Sequence, residues 1–76
     1  MKLVIEINSV DKSCLTVFNG DSIVCVYEAY GKDLKNTIDK IFKERYIEAV
    51  YFNNKNAYAQ KFIEYIEENY KGVEIL

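Results

Sequence analysis

Residues 13–29 read SCLTVFNGDSIVCVYEA: two apolar runs on either side of an Asn-Gly pair, with one cysteine in each. Asn-Gly between such runs is the strongest short-range hairpin signal, because both residues tolerate the positive φ of a tight turn. The spacing predicts strands over 13–18 and 22–28. With Asn19-Gly20 as a two-residue loop, Phe18 faces Asp21, Thr16 faces Ile23 and Cys14 faces Cys25. Cα atoms opposed in this way lie about 5.5 Å apart, within reach of a disulfide. The chain shows no secretory signal, and a bond across so short a loop removes little entropy, so two free thiols are the expectation.

Upstream, MKLVIEIN (1–8) alternates Leu3, Ile5 and Ile7 with Val4 and Glu6, the period of a strand, and SVDK (9–12) reads as the turn that follows. Downstream, Gly31 ends the β region. Asp33 stands where a helix cap is needed, before Leu34, Ile38, Ile41 and Phe42 at helical spacing, which predicts a helix to Tyr46. IEAVYF (47–52) has the short apolar run of a buried parallel strand. NNKN then leads to Asn56 as the cap of a second helix, whose stripe is Ala59, Phe62, Ile63, Ile66 and Tyr70. Lys71-Gly72 stops it, and residues 73–76 form a last strand. The order βββαβαβ predicts an α/β (α+β) fold with a mixed five-stranded sheet, order 3-2-1-4-5, strand 2 antiparallel to the rest. Two right-handed crossovers advancing the same way put both helices on one face.

Composition sets the function classes. Seventy-six residues, half of them hydrophobic, make one domain spanning 1–76. Ten basic and twelve acidic residues are interspersed, for a net charge of −2, so no basic stripe favours nucleic acid. No apolar segment is long enough to span a membrane and no leader is evident, which makes a cytoplasmic protein the expectation. Histidine is absent, which removes the commonest general base and metal ligand, and the two cysteines lack paired metal-site spacing. No cofactor and no metal are expected.

Three antiparallel strands followed by αβαβ resemble the ribonuclease H-like superfold, and two stretches are similar to its RuvC-type Holliday-junction resolvase branch. Ile7-Asn8-Ser9-Val10 before Cys14-Leu15-Thr16-Val17 stands where that family has an apolar-Asp-Pro-Gly motif leading into strand 2. Ile47-Glu48-Ala49-Val50-Tyr51-Phe52 before Lys55-Asn56-Ala57 matches its strand 4. The resemblance implies a metal-dependent nuclease or DNA-junction-binding protein with Glu48 as the strand 4 carboxylate. Neutral Asn8 occupies the strand 1 Asp position, so the carboxylate set that holds two divalent ions is incomplete. Glu6, with Asp11 nearby, is the other acid that such a site could recruit.

The remaining acids and amides have ordinary uses. Glu64, Glu67 and Glu68 read as the wet side of the second helix, and Asn53, Asn54 and Asn56 as turn and cap residues at the strand end where open α/β sheets bind ligands. Seven tyrosines without a tryptophan fit a rim of half-buried rings or an interface. The main expectation is a small non-enzymatic interaction or regulatory module that forms a homodimer, or binds a protein partner, through its uncovered sheet face. With the register above, that face carries Val4, Glu6, Cys14, Thr16, Phe18, Ile23, Cys25 and Tyr27, while Leu3, Ile5, Ile7, Leu15, Val17, Val24 and Val26 lie under the helices. Phe18 and Ile23 are expected near the contact, Val4 beside them and Tyr27 at the rim.

Overall fold

The alternation of strand 1 meets its match in strand 2, and this pairing fixes which face of the sheet is wet. In the computed structural model, which describes residues 1–9 and 11–76, β1 (Lys2–Ile7) pairs antiparallel with β2 (Lys12–Asn19). Leu3, Ile5 and Ile7 fall opposite Val17, Leu15 and Ser13. Val10, expected within the turn between them, lies outside the described residues. Around it the Lys12 N–H donates to the Ser9 carbonyl, and the Ser9 hydroxyl accepts from the Asp11 and Lys12 amides.

After β3 (Ser22–Tyr30) come α1 (Asp33–Glu44), β4 (Ala49–Phe52), α2 (Ala57–Asn69) and β5 (Glu74–Ile75), all in one sheet of order β3-β2-β1-β4-β5. β1–β4 and β4–β5 are parallel and β2 is antiparallel to both its neighbours, as the sequence predicts. Leu34, Ile38 and Ile41 of α1 and Ala59, Ile63 and Ile66 of α2 join Leu3, Ile5, Leu15, Val17, Val50 and Phe52 in a single buried core. Both helices therefore cover one face. Stripes at helical spacing meet strand residues at period two, and this joint burial holds the layers together.

Two helix starts differ in kind. Asn56 caps α2 as expected, its Oδ1 accepting from the Ala59 amide at 2.9 Å. Asp33 does not cap α1: it is the first helical residue, behind Lys32, which makes no side-chain cap bond. A carboxylate in the first turn still favours the helix through the macrodipole. The helix also ends at Glu44, short of Tyr46, with Arg45 already extended.

The hairpin departs from its expected register. Gly20 has φ +63° and no described non-glycine residue has positive φ, so Asn19 is not a central turn residue. The turn is Gly20-Asp21, closed by Asn19 opposite Ser22, with glycine at the first central position as a type II′ turn requires. Farther along, Phe18 faces Ile23 but Val17 faces Cys25, which leaves Val24 as an extra residue, a β-bulge. The two changes have different consequences. The turn shift alone slides the pairing by two and keeps every β3 side chain on its expected face. The bulge slides it by one more and turns over everything from Cys25 onward. Cys14 thus faces Glu28 rather than Cys25, the two free thiols lie on opposite faces, and Tyr27 leaves the open face for the helix side. Val26 takes the reverse path and is 55% exposed.

Candidate functional site

Opposed residues in neighbouring strands share a face, so the pairings place Val4, Thr16, Phe18, Ile23, Val26 and Tyr51 together on the side away from the helices. Ile23 is 62% exposed, Tyr51 44% and Tyr30, at the end of β3 on this face, 56%. Thr16, between Val4 and Val26 on this face, is buried. Of the four residues expected at an interface, Val4, Phe18 and Ile23 are here. Tyr27 is half-buried on the other side, where the Lys40 ammonium lies 5.6 Å from its ring centroid. A hydrogen bond with Cys25, with some burial, pushes its phenol above the ordinary range.

Charges border the apolar area. Glu6 and Glu28 flank Cys14 across three strands, and Lys12 Nζ holds Glu28 at 2.9 Å. At the hairpin end, Lys2, Val4, Phe18, Gly20 and Asp21 line a hollow of about 290 Å³, with an apolar floor and one charge of each sign at its rim. A second hollow of about 300 Å³ runs between the end of β3 and α1.

Sequence reasoning missed Val26, Tyr30 and Tyr51, although signals for each were present. Glu28 cannot lie under a helix without a partner, so Val26 and Tyr30, two residues either side, must face water with it. The parallel pairing of β4 with β1 sets Tyr51 beside Val4.

The acids proposed for metal chemistry are not brought together. Glu48 is level with Met1, its carboxylate 3.9 Å from the terminal ammonium, while Glu6 lies near the other end of β1. Five residues of strand separate them, roughly 16 Å, against the 4 Å or so between paired ions. Among the described residues, no three His, Cys, Asp or Glu side chains converge to hold a metal. Glu64, Glu67 and Glu68 are exposed. Asn53 accepts from the Ile7 amide at 3.0 Å and so ends β1, Asn54 accepts from the Asn56 amide at 3.0 Å, and Asn56 caps α2. All three amides serve the local fold.

The tyrosines have separate uses. Tyr65 and Tyr70 donate to one carboxylate, Asp39 of α1, at 2.7 and 2.6 Å, tying α2 to α1. Phe42 stacks on Tyr70 at 4.1 Å, and the Lys35 ammonium lies 4.8 Å from the centroid of the Tyr65 ring. Burial, then the Asp39 carboxylate, raises the Tyr70 phenol far above its ordinary range; for Tyr65 the hydrogen bond to Asp39 is the main cause of a rise. This clamp was not foreseen, because it joins residues far apart in sequence. Among the described residues, no helix is long and apolar enough to cross a membrane. Searches against protein families, curated proteins and solved structures find nothing that matches this chain.

Proposed function

We propose that this protein is a non-enzymatic interaction module of the cytoplasm that forms a homodimer through the open face of its sheet. The observation that carries the reading is the row of large apolar side chains left in water on one face: Ile23 62%, Tyr30 56%, Val26 55% and Tyr51 44% exposed. Exposed apolar residues scattered singly are ordinary, but Ile23, Val26 and Tyr51 adjoin half-buried Val4 and Phe18 in a patch on the order of several hundred Å², with Tyr30 beyond the Glu28–Lys12 pair at its border. A second copy related by a two-fold axis covers such a patch with an identical one, and Lys2 and Asp21 give its rim one charge of each sign, so that a self-contact need not oppose like charges. The strand order and helix placement are consistent with a ribonuclease H-like arrangement used as a scaffold.

Sedimentation velocity at tens of micromolar tests the reading. Wild type is expected to sediment as a dimer and Ile23→Lys as a monomer, since the mutation puts a charge into the apolar contact, where it must be desolvated. A monomeric wild type refutes self-association, and a dimeric Ile23→Lys shows that another surface is used.

A further inference from the structure

The open face is one uncovered surface of this sheet; the outer edge of β3 is another, and it has a different chemistry. Hydrogen-bonded and non-bonded pairs alternate from the Asn19–Ser22 turn closure, so Cys25, Tyr27 and Ala29 bond back to β2. The Gly31 amide continues this parity by donating to the Asp11 carbonyl at 3.0 Å. The N–H and C=O groups of Val26, Glu28 and Tyr30 must therefore point away from the sheet. Natural edges are blunted by lysine, proline, shortness or bulges. β3 is nine residues long, contains no lysine or proline, and has its bulge at Val24, which leaves 25–30 regular. Its one charge, Glu28, is already paired with Lys12 inside the chain.

What lies beside this edge indicates what completes it. The flank of α1 next to the edge carries Asp33 at one end, Lys40 at the other and Asn36 and Thr37 between them. A two-fold axis through the middle of this flank sets Asp33 of each copy against Lys40 of the other, because antiparallel helices reverse the order of their charges. Of the three β3 residues that line the same hollow, Glu28, Ala29 and Tyr30, the middle one is Ala29, small enough for two strands to close upon.

We infer that the β3 edges of two copies pair antiparallel about Ala29, joining two five-stranded sheets into one of ten strands. Glu28 of each copy then exchanges backbone hydrogen bonds with Tyr30 of the other, and Asp33 faces Lys40 across the seam. The two Glu28 carboxylates do not oppose each other in this register, which avoids the repulsion of like charges in direct opposition. This contact is independent of the face-to-face dimer: its axis is perpendicular to the sheet and it uses backbone groups that the face contact leaves free.

Amide hydrogen exchange in the Ile23→Lys background tests the edge with the open face disabled. As concentration rises from about 10 μM to about 1 mM, the Glu28 and Tyr30 amides are expected to gain about tenfold or more in protection, with Val26 nearly unchanged. Asp33→Lys should abolish that gain, and the double exchange Asp33→Lys/Lys40→Asp should restore it, which a merely damaged helix would not do. Blocking the outward N–H by N-methylation of Glu28 in synthetic protein should abolish it too, while the amides of Tyr27 and Ala29 stay protected. Glu28 and Tyr30 amides that exchange freely at every concentration overturn the inference. So does failure of the charge exchange to restore protection. A monomeric wild type at tens of micromolar, by contrast, overturns only the face-to-face reading.

Discussion

The two faces of this sheet are built from the same kinds of residue and have opposite fates. Leu3, Ile5, Leu15 and Val17 on the helix side are fully buried, while Ile23 and Val26 on the other are more than half exposed. Alternation along a strand decides which side chains share a face, but not whether anything covers that face. Cover comes from the helices, whose placement follows from connectivity. An apolar side chain therefore stabilises this fold most on the helix side; on the other, Ile23 and Val26 are left available for association.

The sharpest way to break the contrast is to shorten a side chain on the covered face. Leu15→Ala removes a fully buried side chain from the central region of the core, and a cavity there costs about 2–5 kcal/mol. For a domain of this size that is a large part of the total stability. Urea unfolding should show a midpoint lowered to that extent, and a loss under about 1 kcal/mol would mean that the core collapses into the space.

The helix layer offers a smaller test of what holds the cover in place. Asp39→Asn keeps the shape of the side chain but removes the charge that accepts both tyrosine hydroxyls. Charge-assisted bonds at a part-exposed site suggest a loss of about 1 kcal/mol. The same clamp gives the protein an alkaline limit. Tyr65 and Tyr70 titrate higher in the folded chain than the value of about 10 in an unfolded one. Their contribution is complete below pH about 10 and is lost as pH rises through the folded values. Chemical denaturation from pH 8 upward should therefore show constant stability to about pH 10 and a decline beyond it. Asp39→Asn should make that decline shallower without removing it, because burial is the first cause of the Tyr70 shift. An unchanged slope would remove Asp39 from the account.

How much of this was legible in the chain depends on whether the governing contact is local. The strand and helix order, the parallel pairing of β4 and the Asn56 cap each follow from a pattern spanning a few residues. The α1–α2 clamp was hidden, because Asp39 meets Tyr65 and Tyr70 only once two helices share a face. The hairpin falls between these cases. Asn19-Gly20 correctly marked a turn, yet its loop is Gly20-Asp21, and the alternation of β3 is broken in the middle. Ile23 pairs outward with Phe18, while Glu28 must also face water, and five residues separate them. An odd separation on one face requires an extra residue. Val24 is that residue, and the clue was Glu28 rather than any apolar residue.

The smallest stability effect belongs to the open face, and it sharpens the comparison most. Ile23→Lys replaces an apolar side chain that already sits mostly in water, in a strand position next to the turn, where neither burial nor strain penalises a long charged residue. At concentrations low enough to keep the chain monomeric, its denaturation midpoint should match wild type within about 0.5 kcal/mol. Raising the concentration should separate the two. The wild-type midpoint climbs by mass action as the dimer fills, and that of Ile23→Lys climbs less, since the second copy binds only the folded state and does so through this residue. Equal midpoints at all concentrations would show that the exposed row gives the folded state nothing. A low-concentration loss comparable to Leu15→Ala would show that the two faces are not the separate regions described above, because Ile23 would then be part of the packing that holds the monomer together.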